Sequence, residues 1–344
     1  MRALGLALAV TLLAPPAWAQ PDHRAIASRT LDQVILPGTT AFHDAAEALV
    51  AAAPADCAAI APEELRATFQ ATWDAWMRIE HLRFGPLEEG DRALQIAFWP
   101  DSRGTVGRTV ERMLAAEDAV VDDPETFAQQ SIGARGLPAM ERLLYDDDGV
   151  VALEEPYRCR YIAAVAQDIA RLAGEVHSGW HGPWAEHVRT AGEPDNPVFL
   201  APAEVSQRLF DTVIGALELT ARGRLERPLG TFQSPRPRLA EAWRAGRALR
   251  QIELVVEATD ATLSASFVPE LPEAAQATLA EAYAGLRQDL ARVAEQGSLA
   301  EALTASRIRV EVLTQRTAGL ANTIGLTVGP SLGITQGFNS ADGD

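Results

Sequence analysis

Lysine is missing from this chain of 344 residues; all 30 of its basic residues are arginines. Asp and Glu outnumber them at 47, leaving a formal net charge of −17. So acidic a chain repels phosphate backbones and anionic headgroups, which argues against a nucleic-acid partner or an anionic membrane surface. Cysteine is scarce, with Cys57 and Cys159 alone. Neither lies in the local C-x-x-C spacing of a two-cysteine metal site. The H-E-x-x-H zinc-protease helix, the G-x-S-x-G nucleophile elbow and a glycine-rich phosphate loop are also missing. Alternating strand patterns are nearly so, and no apolar run long enough to span a membrane follows the first twenty residues.

Those twenty, MRALGLALAVTLLAPPAWAQ, carry one basic residue, an apolar run from Ala3 to Leu13 and a small-x-small site at Ala17-Trp18-Ala19. The pattern predicts a secretory signal peptide over residues 1–20, cleaved near Ala19, and a mature chain in the periplasm. No cysteine follows the apolar run to carry a lipid. In an oxidising compartment Cys57 and Cys159 favour a disulfide, closing a loop of roughly 100 residues and stabilising by about 4 kcal/mol in the chain-entropy picture. Two buried thiols are the alternative.

What the chain has in quantity is Ala, Leu, Glu and Arg at helical spacing, in a composition 47% hydrophobic and 22% charged. The spacing predicts helices over 22–53, 62–83, 105–117, 124–133, 138–146, 156–182, 202–223, 238–266, 272–296 and 298–320, an all-α protein. The segment AGEPDNPVFLAPAE, residues 191–204, has three prolines and no helical period. It divides the mature chain into an N-terminal helical bundle, 21–192, and a C-terminal one, 193–344. The last twenty residues, GLTVGPSLGITQGFNSADGD, contain five glycines and read as a tail rather than as more helix.

Several charges interrupt apolar stripes. In GLPAMERLLY, Leu137, Met140, Glu141 and Leu144 share a face. In the helix over 62–83, Leu65, Phe69, Trp73 and Trp76 lead to Glu80. In 238–258, Trp243, Arg247, Arg250 and Leu254 share a predicted face. A buried carboxylate needs a partner or loses its charge. Two glutamates and two arginines could satisfy one another as a structural ion-pair network, or could line a polar site at the domain interface. The connection IAFWPDSRG brings Trp99, Asp101 and Arg103, which would suit a pocket mouth or a polar loop on a bundle end. His177 and His181, at i and i+4, could chelate a metal with a third ligand, though histidines also favour a helix C-terminus.

WDAWMRIEHLRFGPL, IAFWPDSRG, GLPAMERLLY, AEAWRAGRAL and the ending LGITQGFNSADGD together resemble the imelysin family of bacterial periplasmic and outer-membrane-associated proteins. The resemblance implies two antiparallel four-helix-bundle domains packed against each other, with a site at their interface. It also implies a link to iron uptake, and to metallopeptidases through a G-x-H-x-x-E motif. That motif falls on Gly136, Pro138 and Glu141, so proline stands where the family has histidine. Proline offers no ligand atom, and a zinc site cannot be completed from this helix. The expectation is therefore a non-catalytic protein of iron or other divalent-metal acquisition, taking a metal ion or chelate and working with a membrane transport component. Glu141, Glu80, Arg247 and Trp99 would line its site, with Asp101 and Arg103 at the edge and Glu141 the candidate metal ligand. The alternatives are a metallopeptidase using another ligand set, with His177 and His181 as metal ligands, and a helical scaffold.

Overall fold

The structure, a computed structural model, describes residues 21–147 and 149–334. The expected signal peptide, 1–20, and the end of the tail, 335–344, lie outside the described residues. Among those described there is no strand, only two isolated bridges, Tyr145 with Val150 and Thr231 with Ser234. No described helix is long and apolar enough to cross a membrane.

The first helix is continuous: α1 (His23–Thr30), a π-helical turn at Leu31–Ile35, and α2 (Leu36–Ala52). α3 (Pro62–Ile79) starts on a proline, whose missing N–H costs nothing there, and buries Leu65, Phe69, Trp73 and Trp76. α4 (Thr105–Ala116), α5 (Gly136–Leu144) and α6 (Pro156–Trp180) follow. α2 packs against α3 and α6, and α5 against α4 and α6. Cys57 and Cys159 form a disulfide with their Cα atoms 5.5 Å apart, tying the segment before α3 to the start of α6.

In the second half, α7 (Pro202–Leu219) continues through a π-helical stretch at Thr220–Glu226. α8 (Ala248–Ser266), α9 (Glu273–Ala294) and α10 (Arg307–Leu332) complete it, with α10 packed on α7 and α9, and α8 on both as well. α1 belongs to the first half by sequence yet packs on α7 and α8, and α8 also meets α3. The buried apolar side chains accordingly form one continuous core.

Several boundaries differ from expectation: the helix expected over 124–133 stops at Phe127, and the one expected over 298–320 is broken at Ser306 into Leu299–Ala305 and α10. The helix predicted from 238 begins only at Ala248, because residues 240–247 form turns in which Ala242 and Gly246 have φ of +50° and +68°. Trp243, Arg247 and Leu254 therefore do not share one helical face. The helix after Pro202 does not stop at 223; it widens to π geometry and runs on through Leu229 to Gly230, whose φ of +54° ends it. α10 takes in the first part of the glycine-rich stretch and continues to Leu332. Burial of Val328 and Leu332 outweighs the roughly 1 kcal/mol that a helical glycine costs.

Candidate functional site

α3 unwinds after Ile79, which brings Glu80 and His81 to the boundary between the halves. Glu80 is 5% exposed. Its Oε2 accepts from Arg224 Nη2 at 2.6 Å and its Oε1 from Arg83 Nη2 at 2.9 Å. Arg224 is 2% exposed, on the π-helical stretch, where the extra residue per turn redirects side chains. Its Nε donates to Glu241 Oε2 at 2.6 Å, its Nη1 to Thr220 Oγ1 at 3.3 Å, and its guanidinium lies over Trp99 at 5.2 Å from the ring centroid. Gly223 makes room for that indole, since a Cβ there would stand 3.0 Å from Trp99 Cη2.

The charged seam continues through the turns at 240–247. Glu241 is buried, and Ala245 N–H donates to Glu141 Oε1 at 2.9 Å. Arg244 stacks on Trp243 at 4.1 Å and donates to Asp147 at 3.1 Å, close enough to Glu141 to favour its charge. Glu141 is buried, and the second-half cation that acts on it is Arg244. Arg247 instead donates to Gln70 at 3.2 Å and to Asp74, which also accepts from Arg250 at 3.2 Å.

These environments move the charges in different directions. Burial works to raise the Glu80 carboxyl, but Arg224 and Arg83 outweigh it and hold Glu80 below the usual range. Burial raises Glu241, with Arg224 opposing and Glu80 adding to the effect. Glu141 is pushed up to about 7 by burial, against the Ala245 N–H and Arg244, with Glu241 reinforcing the rise. Burial drives His81 down to about 4, with Glu80 opposing; its Nε2 shares a hydrogen with Thr262 Oγ1 at 2.8 Å while its Nδ1 has no partner.

Glu80, His81, Arg83 and Arg224 are among the residues lining a cleft of about 860 Å³ between the segment 80–94 and the α7 face that continues into the π-helical stretch. Of the sequence-predicted residues, Glu80 lines this cleft, Trp99 lies under its Arg224, and Glu141 is linked to it through Glu241. Asp101 and Arg103 are outside it. Asp101 accepts from Thr105 N at 2.9 Å and Val106 N at 2.8 Å, holding the first amides of α4, and Arg103 is exposed. His177 and His181 are far along α6, where they stack at 4.1 Å between ring centroids, with His43 of α2 stacked on His177 at 5.0 Å. Burial and both neighbouring imidazoles lower His177. Among the described residues no group of three or more His, Cys, Asp or Glu is arranged to hold a metal ion.

Sequence reasoning missed Arg224, Glu241, Arg244 and His81. Arg224 follows Leu217 and Ala221 at steps of four and three, so the stripe rule that found Glu80 and Glu141 could have found it. Glu241 and Arg244 were hidden by the helix assumed over 238–247.

The family profile described as imelysin, peptidase M75, matches residues 35–324. No curated protein sequence matches. Among solved structures, an imelysin-like protein from Psychrobacter arcticum 273-4 superposes with a TM-score of 0.75 at 19% identity, covering 93% of this chain and 100% of that one. A protein described as a putative iron-regulated protein A precursor, from Parabacteroides distasonis ATCC 8503, superposes with the same TM-score at 12% identity, covering 92% and 97%. At such identities the likeness to the two structures is one of fold, while the profile spans most of the sequence: the chain belongs to the imelysin family.

Proposed function

We propose that the protein acts in the periplasm in the acquisition of iron or another divalent metal, binding its ligand between the two halves and catalysing no reaction. The observation that carries this reading is the Glu80–Arg224–Glu241 seam opening into the cleft. Buried ion pairs gain less than their desolvation costs unless geometry is good. Here a carboxylate held charged, Glu80, and one whose titration burial raises, Glu241, share a single arginine at a solvent-connected cavity. Perturbed groups gathered at a cleft between packed units are a usual mark of a binding site. An iron link is consistent with the iron-regulated description of the Parabacteroides distasonis protein of the same fold. Pro138 stands one helical turn before Glu141 and supplies no metal donor, which counts against peptidase chemistry there. Delivery to a membrane transport component is the role we assign to the loaded protein.

The test is calorimetry of the chain lacking residues 1–20 with ferrous iron, zinc, hemin and ferric citrate. One-to-one binding of an iron form whose affinity changes at least tenfold in Glu80→Gln, which alters the charge balance of the cleft, and is unchanged in His177→Ala supports the reading. Absence of iron binding in every form overturns it in favour of a scaffold.

A further inference from the structure

The shape and lining of the cleft also bear on the form in which iron would arrive, an inference that rests on the iron-acquisition reading. The volume of about 860 Å³ is several times that of an ion with six waters, roughly 200 Å³ at 30 Å³ per water. It falls in the range of organic-ligand pockets. Five arginines line it: Arg83, Arg208, Arg222, Arg224 and Arg227. Arg224 is committed to Glu80 and Glu241, but Arg222 is exposed and Arg227 half-buried, and both line the cleft from the π-helical stretch or just beyond it. Arg83 uses one of its five donors on Glu80 and keeps a partly exposed head.

The carboxylates of the lining are Glu80, Glu88, Asp91, Asp211 and Glu218, so the cleft is formally neutral inside a chain of net charge −17. Those carboxylates do not converge on one point, and among the described residues no set of three donors is poised for a bare cation. The lining also has an apolar part, made by Leu87, Leu94, Leu219 and Val255. A guanidinium fork pairs with a carboxylate through two parallel hydrogen bonds, a match that the lysine-free composition makes available at each cationic position.

We infer that the ligand of this cleft is an anionic ferric chelate, iron wrapped by an organic hydroxycarboxylate, gripped through the chelate's outer carboxylates by Arg83, Arg222 and Arg227. The iron is carried as cargo and touches no protein ligand. The remaining carboxylates limit how much negative charge is accepted, so a one-to-one ferric chelate, in which the metal neutralises most of the chelator's charge, binds better than the iron-free chelator.

The probe is ferric citrate, titrated beside iron-free citrate, ferrous iron and hemin. Ferric citrate should bind at least tenfold more tightly than citrate alone, and the Arg222→Ala, Arg227→Ala double variant should lose ten- to a hundredfold. Arg222→Lys should lose several-fold, because charge remains while the fork is gone. Both positions are at or near the surface, and an unchanged melting temperature and far-UV spectrum establish that the variants fold. Binding of ferrous iron or hemin with indifference to ferric citrate overturns the inference and leaves the iron-acquisition reading standing. Equal affinity for citrate and ferric citrate, or unchanged affinity in the double variant, also overturns it. No binding of iron in any form removes both.

Discussion

Glu141 and His81 are both buried, and burial moves their titrations toward one another's range: about 7 for the carboxyl and about 4 for the imidazole. Their linkage to folding has opposite signs. Glu141 titrates at 4.5 when unperturbed, so between 4.5 and about 7 the folded state holds the extra proton, and stability falls as pH rises through that window. His81 titrates at 6.5 unperturbed, so between about 4 and 6.5 the unfolded state holds the extra proton, and stability rises with pH. The two nearly cancel where the windows overlap. Glu141→Gln should therefore expose the His81 slope, a gain on the order of 3 kcal/mol from pH 4 to 6.5, and His81→Gln should expose the opposite slope of Glu141. Urea unfolding across that range measures both; slopes that match the wild type in either variant would refute the assignment. Arg224→Met belongs to the same scale, because it leaves Glu80 and Glu241 buried without their cation. It should cost about 3–5 kcal/mol in urea unfolding, and adding Glu80→Gln with Glu241→Gln should recover part of that loss.

At the scale of the element, the loop before α4 shows how a single carboxylate can serve the helix beside it. Asp101 accepts from two of the four amides that α4 leaves without intrahelical partners. Asp101→Ala should lower stability by about 1 kcal/mol and leave ferric citrate affinity unchanged. A tenfold loss of affinity would instead put this loop against the ligand. How much of the site could be read from the chain depended on the regularity of each element. The rule that a charge in an apolar stripe marks something succeeded at Glu80 and Glu141, because α3 and α5 keep a period of 3.6 residues. It could equally have marked Arg224, at steps of four and three after Leu217 and Ala221, although the π-helical geometry that turns this arginine into the seam leaves no trace in that spacing. It selected Arg247 over Glu241 and Arg244 because 240–247 follows tertiary demands, among them the hydrogen bond from Ala245 to Glu141, and not the helical propensity of its alanines. The all-α class survived these local failures, since it rests on the summed pattern of long helices. The extension of α10 to Leu332 was illegible for a related reason: packing against α7 and α9, not intrinsic propensity, holds its glycines helical.

For the molecule as a whole, the question is whether the halves unfold together. The chain pattern suggests a break near 192, yet α1 packs on α7 and α8 and α8 meets α3, so each half completes the core of the other. The buried seam adds to this, because Glu80 from one half and Glu241 from the other share Arg224. Thermal unfolding should then be a single transition, coincident by far-UV circular dichroism and by tryptophan fluorescence, which reports mainly the first half through Trp73, Trp76, Trp99, Trp180 and Trp184. The Cys57–Cys159 bridge spans 102 positions and encloses α3, α4 and α5, which carry or flank Glu80, Trp99 and Glu141. Its reduction releases a large loop and should cost about 4–5 kcal/mol in the chain-entropy picture. If the core is continuous, reduction lowers the midpoint of both probes by the same amount, because a weakened first half withdraws α1 and α3 from the second. If instead the fluorescence midpoint alone moves, the halves are independent folding units and the seam between them is a contact of docked domains.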